Sequence, residues 1–93
     1  MNKKLKSHLD ELKSSIDKMK QTRRVYQEQI KELDSIRADL ENVWTSPSAK
    51  KFVDTIKFRK QLLKNNIEIL NGIIEVAEGR YHTLSMFNWI IKD

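Results

Sequence analysis

A single proline near the middle of this 93-residue chain constrains the fold more than any other feature. Pro47 stands in the stretch ENVWTSPSAKKF, between two long segments that contain no other proline and only two glycines. A β-sandwich or barrel needs turn residues at intervals of roughly 8–12 residues, and this sequence lacks them. A low content of turn formers, with 33% charged residues, is typical of long helices. The sequence therefore predicts an all-α fold with one bend near Pro47.

Apolar residues recur at alternating spacings of four and three on both sides of that bend. Such a repeat places one row of side chains along one face of a helix and predicts a gentle left-handed supercoil. The predicted row of the first helix, the first seam, is Leu5, Leu9, Leu12, Ile16, Met19, Arg23, Tyr26, Ile30, Leu33, Arg37, Leu40 and Trp44. The predicted row of the second helix, the second seam, is Phe52, Ile56, Arg59, Leu63, Asn66, Leu70, Ile73, Ala77, Arg80, Leu84, Phe87 and Ile91.

The residues around Pro47 indicate where one helix ends and the next begins. Ser46 suits the N-cap position, where its hydroxyl accepts a hydrogen bond from an amide of the next turn. Pro47 suits the first helical position because its missing N–H costs nothing there. A proline also disfavours helical backbone at the residue before it, so the first helix should end by Trp44 or Thr45. In this position Trp44 would close the end of the seams against Phe52.

A short turn between two long helices predicts an antiparallel two-helix hairpin. In that register Leu40 lies near Ile56 and Leu33 lies near Leu63. We predict a single domain with these bounds: the domain at 1–93, helix 1 at about 3–44, the turn at 45–48 and helix 2 at about 48–92.

The distribution of charge favours the same register. Residues 25–48 carry two basic and five acidic groups, and residues 49–64, which would lie opposite, carry six basic and one acidic group. Residues 1–24 carry eight basic and three acidic groups, and residues 65–93 carry two basic and four acidic groups. Opposite signs would therefore face each other in both halves, although each exposed pair contributes only tenths of a kcal/mol.

The second helix carries more apolar residues than one seam can use, so we predict that it also contacts a partner. Two hairpins that pack into a four-helix bundle would bury this surplus, and the sequence leaves open whether the bundle is a homodimer or a heterodimer. The predicted partner interface consists of Phe58, Leu62, Ile69, Ile74, Met86 and Ile90.

Five polar residues occupy predicted seam positions: Arg23, Arg37, Arg59, Asn66 and Arg80. In one interpretation their long stems pack in the seam while the charged heads reach its edge. In the other, they fix the register or select the partner, as isolated polar residues do in coiled coils.

The sequence offers little that indicates chemistry. There is no cysteine, no glycine-rich phosphate loop and no nucleophile elbow. Neither His8 nor His82 has a carboxylate or a second histidine four residues after it, as a metal site on a helix would suggest, and a narrow hairpin lacks the concavity that catalysis usually needs. We therefore expect no enzymatic activity, no metal and no cofactor.

The net charge of +5 raises nucleic acid as a partner, and the densest basic run lies between residues 50 and 64. That run faces an acidic segment across the hairpin, and no aromatic residues alternate with it to stack on bases. We expect no nucleic-acid binding. No apolar stretch approaches the roughly 18 residues of a membrane span, and no apolar run follows the basic N-terminus, as a cleaved signal peptide requires. We expect no membrane insertion.

The bend sequence resembles that of the WXG family of type VII secretion substrates, which are helical hairpins of about this length. The family's Trp-X-Gly motif corresponds to Trp44, Thr45 and Ser46, with serine in place of glycine. A C-terminal Tyr-X-X-X-Asp/Glu export motif of the family corresponds to Trp89 and Asp93, with tryptophan in place of tyrosine. The resemblance implies a protein that is cytoplasmic before export and whose export would need no cleaved leader; it leaves open whether the protein is itself secreted.

Within that family the chain is most similar to the small partners of LXG toxins in Firmicute type VIIb systems, and its Lys-, Ile- and Asn-rich composition fits a low-GC Gram-positive source. The resemblance implies a non-enzymatic targeting factor that binds the helical N-terminal domain of an LXG-like toxin, or a sibling WXG-like protein. It would help to present an export signal to the secretion ATPase. The alternatives are a structural coiled-coil adaptor or, less favoured, a basic nucleic-acid-binding hairpin.

Overall fold

A computed structural model describes residues 3–43 and 45–90, and the last three of these by their backbone alone. The described residues form two helices, α1 (Lys3–Val43) and α2 (Pro47–Ile90), and these ranges contain no strand. The predicted all-α fold of two long helices is confirmed. The assembly of two hairpins into a four-helix bundle remains a prediction.

The start of α2 has the predicted N-cap. The Ala49 amide donates to the Ser46 hydroxyl at 3.2 Å, and the Lys50 amide donates to the Ser46 carbonyl at 3.1 Å. The helix then begins at Pro47, where the absence of an N–H leaves no hydrogen bond unmade. Trp44 lies outside the described residues, so the predicted contact between Trp44 and Phe52 remains a prediction.

The chain forms two compact units. Unit 1 pairs the beginning of α1, up to Thr22, with the part of α2 that starts at Leu70. Unit 2 comprises residues 23–69 and includes the bend. The prediction of one domain over 1–93 is left as a prediction.

Unit 1 has a small apolar core between its two helical segments. Leu9 and Ile16 of α1 are buried, as is Ile74 of α2. On the surface of the unit, Lys20 Nζ lies 3.3 Å from a carboxylate oxygen of Glu78. This pair joins the basic N-terminal segment to the acidic C-terminal segment, as the charge distribution predicts.

The core of unit 2 lies close to the bend, where Ala49, Val53 and Ile56 are buried. Ala49, two residues after Pro47, is only 1% exposed, so the start of α2 is already packed. Further from the bend, Leu33 and Leu63 are half-buried and line the same surface groove, so they lie in the predicted register.

One side of unit 2, the charged edge, holds a set of ion pairs formed by Asp34, Arg37, Glu41 and Lys60. Lys60 Nζ lies 2.7 Å from Asp34 Oδ1, which joins α2 to α1. Arg37 lies 3.1 Å from Glu41 and 3.9 Å from Asp34. The Lys60–Asp34 pair again joins segments that the sequence predicts to face each other.

The first seam is confirmed wherever the structure describes it. All eleven positions from Leu5 to Leu40 are buried or half-buried. Arg37 occupies the seam with its stem while its guanidinium reaches the charged edge, so the first interpretation of the polar seam residues holds here. Arg23 is likewise half-buried.

The second seam is wrong at every other position. Phe52, Arg59, Asn66, Ile73, Arg80 and Phe87 are exposed. The residues that face α1 are instead those one place further along the chain: Val53 and Ile74 are buried, and Lys60, Ile67 and Tyr81 are half-buried. The predictions that place Arg59, Asn66 and Arg80 in the seam are corrected accordingly.

The error has a physical origin in the helix geometry. Ile56, Leu63, Leu70, Ala77 and Leu84 are buried or half-buried, and they belong equally to two rows that both follow spacings of four and three. A helix with apolar residues on two adjacent faces has two such rows, and periodicity alone does not select between them. The sequence held one signal that favours the observed row. The predicted row contains three polar residues, Arg59, Asn66 and Arg80, whereas the observed row up to Tyr81 contains one charged residue, Lys60.

The charged edge makes unit 2 sensitive to acid. The hydrogen bond from Lys60 holds the pKa of the Asp34 carboxyl below its usual value; partial desolvation opposes this, and the charges of Lys60, Arg37 and Lys64 reinforce it. A carboxyl whose pKa is lower in the folded state stabilises the fold above its unfolded pKa of about 4, and this stabilisation is lost as the pH falls through the folded pKa.

We therefore expect Asp34→Asn to lower the thermal midpoint slightly at neutral pH, and we expect this difference from wild type to shrink as the pH falls through the folded pKa of Asp34, where the wild-type carboxyl becomes protonated. Asp17→Asn, on the same helix but outside both the charged edge and the groove, is the control and should leave the thermal midpoint close to that of wild type throughout. Thermal melts followed by circular dichroism at a series of pH values measure both. A difference between Asp34→Asn and wild type that does not shrink as the solution is acidified contradicts the expectation.

Candidate protein-binding groove

The exposed residues of the predicted second seam belong to a second row of side chains on α2. In unit 2 this row, which we call the outer stripe, is Phe52, Thr55, Arg59, Leu62, Asn66 and Ile69, all of them exposed. The spacing again alternates between three and four, so the row follows one face of the helix. Because this face lies beside the one that packs on α1, α2 presents apolar side chains on two adjacent sides.

The outer stripe meets a matching part of α1 in a surface groove of about 440 Å³. Its floor is formed by Leu33 and Leu63, which also belong to the contact between the helices. We call this feature the groove and define it by all its lining residues: Gln29, Glu32, Leu33, Ile36, Arg59, Leu62 and Leu63. Unit 2 is therefore charged along one side and apolar along another.

Two large apolar side chains in the walls of the groove remain open to water. Ile36 of α1 is 46% exposed and Leu62 of α2 is 47% exposed. Full burial of a side chain of this size contributes about 1.5–3 kcal/mol, so roughly half of that remains unused at each position. The same wall of α1 continues to Val43, which is also exposed.

The walls of the groove carry charges of opposite sign. Glu32 lies on the α1 wall and Arg59 on the α2 wall. Asp39 follows Glu32 by two helical turns and so lies on the same face of α1. Among the side chains that the structure describes, none forms an ion pair with Glu32, Asp39 or Arg59. The charged edge, in contrast, has both of its basic groups paired.

The predicted partner-interface residues divide into three groups. Phe58, Leu62 and Ile69 in unit 2 and Met86 in unit 1 are exposed, as an interface with a partner requires, and their contact with a partner remains a prediction. Ile74 is only 3% exposed; it belongs to the core of unit 1, and its assignment to the partner interface is corrected. The side chain of Ile90 lies outside the described residues.

The sequence reasoning missed several exposed apolar residues. In unit 1, Ile73 and Phe87 were assigned to the seam, yet they are 48% and 52% exposed. They would have been recognised if the more apolar of the two alternative rows had been chosen as the seam. In unit 2, Phe52 was missed for the same reason.

The predicted motif residues fall mostly outside the region that can be described. At the bend, Trp44 is not described, Thr45 is exposed and half-buried Ser46 acts as the helix cap. Of the candidate export signal, Asp93 and the side chain of Trp89 lie beyond the described residues. The roles of these residues in export remain predictions.

The described residues contain neither a cluster of metal-ligating side chains nor a membrane-spanning helix. Within residues 3–43 and 45–90, no three His, Asp or Glu side chains come together as metal ligands. His8 and His82 are both exposed. The described helices include no segment that is long and apolar enough to cross a membrane.

The fold places the chain in the class of all-α helical hairpins. Beyond that class, no protein-family model, no curated protein and no solved structure matches the chain. The groove and the sequence motifs are therefore the features that bear on its function.

Proposed function

We propose that this chain is a non-enzymatic partner protein of a type VII secretion system, which binds the helical N-terminal domain of an LXG-like toxin or a sibling WXG-like protein. The observation that supports this most is the groove of unit 2, where apolar residues of both helices stay open to water. An unpaired apolar groove between two helices is a common docking site for a further amphipathic helix.

The shape of the apolar surface favours a helix over other partners. The outer stripe follows spacings of three and four, which are the spacings of the rows that interlock when helices pack. Adding two helices to the groove side of a hairpin produces a four-helix bundle. An extended peptide would instead need an exposed strand edge, and the described residues contain none.

Nucleic acid fits this groove poorly. Its α1 wall carries Glu32, which would repel phosphates, and its floor is apolar. The basic residues of α2 in unit 2 mostly lie away from the groove, and Lys60 is held by Asp34. A phosphate-binding face needs unpaired basic groups along one surface.

The secretion assignment rests on the bend sequence Trp44-Thr45-Ser46 and on the pair Trp89 and Asp93. In this proposal the protein stays in the cytoplasm until its partner is bound, and the C-terminal residues then contribute to a signal that the secretion ATPase reads. A free-standing coiled-coil adaptor would use the same groove without these motifs.

Co-expression with the helical N-terminal domain of an LXG-like toxin from the same genome tests this function. We expect the two chains to co-purify as a complex that buries the groove, as measured by protection of Ile36 and Leu62 amides in hydrogen exchange. Binding of duplex DNA with a steep dependence on salt, and no binding of the toxin domain, would favour the nucleic-acid alternative instead.

The candidate export signal makes a separate prediction. Asp93→Ala should strongly reduce export of the toxin, while the free energy of unfolding changes by no more than about 0.5 kcal/mol, as is usual for surface substitutions. Lys92→Ala is the matched control and should leave export unchanged. A secretion assay run beside a denaturation curve measures both effects. If the toxin is exported normally with the Asp93→Ala variant, Trp89 and Asp93 are not an export signal. The proposal of binding through the groove does not depend on that signal.

A further inference from the structure

Two charges of opposite sign face the groove from its two walls. Glu32 belongs to the α1 wall and Arg59 to the α2 wall. Both side chains are exposed, and neither forms an ion pair with any other side chain that the structure describes. The floor between them is made of Leu33 and Leu63. A helix that lies on this floor therefore has a negative charge on one side of it and a positive charge on the other.

The opposite side of unit 2 shows how the hairpin pairs charges internally. On the charged edge, Lys60 Nζ lies 2.7 Å from Asp34 Oδ1, so the two helices neutralise each other there. In the groove the two charges belong to walls that an apolar floor separates, and they form no such pair. A molecule that lies on the floor can pair with both of them at once.

The ion pair of the charged edge also fixes the relative level of the two groove charges. The helices are antiparallel, so a step back along α2 from Lys60 matches a step forward along α1 from Asp34. Arg59 therefore lies level with Ser35, and Glu32 is three residues, roughly 5 Å, from that level. Arg59 is the nearer of the two to the bend. On a bound helix, the groups that pair with these charges are about one turn apart.

A bound helix has two flanks, one on each side of its apolar row. When such a helix is turned end for end on the groove floor, its two flanks exchange walls. A helix that is acidic along one flank and basic along the other then places like charges against both walls. Exposed charge pairs contribute little affinity, but they discriminate between alternative arrangements of the same two partners.

We propose that Glu32 and Arg59 select the direction in which a partner helix lies in the groove. The partner is an amphipathic helix with basic residues along one flank of its apolar row and acidic residues along the other. Apolar contacts with Ile36 and Leu62 supply affinity, and the two wall charges supply direction. The selection of direction rests on the proposed function, because it requires a helix in the groove, and it adds to that function a defined orientation of the complex relative to the bend.

Two synthetic peptides test the selection. Each forms one helix of about 21 residues, roughly 32 Å long, and both have the same composition and the same apolar row. The first has glutamates along one flank and lysines along the other, and the second has these flanks exchanged. Because the chain contains no cysteine, Thr45→Cys supplies a single site for a fluorophore beside the bend. Energy transfer to a second fluorophore at the peptide N-terminus reports which end of the peptide lies near the bend.

With the wild-type groove, the two peptides should bind with similar affinity and in opposite directions. Each should prefer its own direction by roughly threefold to tenfold, because two exposed charge pairs change sign together when the peptide is reversed. In 1 M salt, where the Debye length is about 3 Å, the preference should disappear while binding through apolar contacts persists.

An exchange of the wall charges should reverse the result. The double variant Glu32→Arg with Arg59→Glu keeps the net charge but makes the α1 wall basic and the α2 wall acidic. Each peptide should then lie in the direction opposite to the one that it takes on the wild-type chain. A peptide that keeps its direction on this variant overturns the proposal.

A control double variant makes the same exchange away from the groove. Asp54→Lys with Lys57→Glu changes two residues of α2 that line a different depression, and it also keeps the net charge. Both peptides should keep their wild-type directions on this variant. If it reverses them as the groove variant does, the general distribution of charge in unit 2 sets the direction rather than Glu32 and Arg59, and the proposal fails.

Three further results overturn the proposal: both peptides bind in one common direction, each peptide binds equally in both directions, or neither peptide binds. Whether the toxin domain co-purifies with the chain is measured independently of these peptides. Failure of the selection of direction is therefore distinguishable from failure of the proposed function.

Discussion

Replacing Ile74 by alanine is expected to lower the free energy of unfolding by about 2–5 kcal/mol, as truncation of a buried isoleucine usually does. Ile74 is 3% exposed in the core of unit 1, so its removal leaves a cavity as well as losing burial. For a small domain, whose total stability is about 5–15 kcal/mol, a loss of this size is a large fraction of the whole.

The adjacent residue is a matched control for this prediction. Ile73 is the same residue type on the same turn of α2, yet it is 48% exposed. Ile73→Ala should change the free energy of unfolding much less, by roughly 0.5–1 kcal/mol at most. Urea denaturation of both variants at one fixed protein concentration gives the comparison, and the fixed concentration matters because association contributes to apparent stability.

A milder variant covers the case in which Ile74→Ala does not fold. Ile74→Val removes one methylene and should cost about 0.5–1.5 kcal/mol, while Ile73→Val should be close to neutral. If the Ile73 variants lose more stability than the Ile74 variants, then the row that contains Phe52 and Arg59 faces α1 after all. The observed seam, and with it the groove, would then be wrong.

Replacing Leu62 by aspartate is expected to weaken binding in the groove by about 30-fold or more, equivalent to about 2 kcal/mol. The leucine lines the groove beside Ile36, and an aspartate there would be desolvated by the bound helix without a partner for its charge. The fold should tolerate the change, because Leu62 is nearly half exposed in the single chain.

Gln61→Asp is the control, since it adds the same charge one residue away on a different face of α2. Isothermal titration with the toxin domain should show a loss of affinity for Leu62→Asp and little change for Gln61→Asp. If Leu62→Asp binds the toxin domain as tightly as wild type does, the groove is not the docking site.

The parts of the fold that could be predicted are those that depend on neighbours in the sequence. Ser46 caps α2 through the amide of Ala49, three residues away. Pro47 begins the helix because its own ring and missing N–H fix the backbone there. The first seam was predicted correctly because α1 has one continuous apolar row and few apolar residues outside it.

The candidate site was predicted in part. The sequence indicated that α2 carries surplus apolar residues and identified Phe58, Leu62 and Ile69, which the structure leaves exposed. It assigned Arg59 to the seam, where it would be packed between helices, and so missed an exposed basic group on the wall of the groove. It also missed the acidic wall, because a single exposed glutamate on a helix has no distinguishing pattern.

By itself, the sequence determined two helices, their bend at Pro47, and the face of α1 that is buried, because each of these follows from local backbone preference or from a single apolar row. Only the tertiary structure decided which of two adjacent faces of α2 packs against α1. The two rows share Ile56 and Leu63 and have the same period, so they differ in energy only through contacts with residues distant in sequence. Burial of Val53 and Ile74, together with the ion pair between Lys60 and Asp34, selects one row, and the other is left as the open wall of the groove.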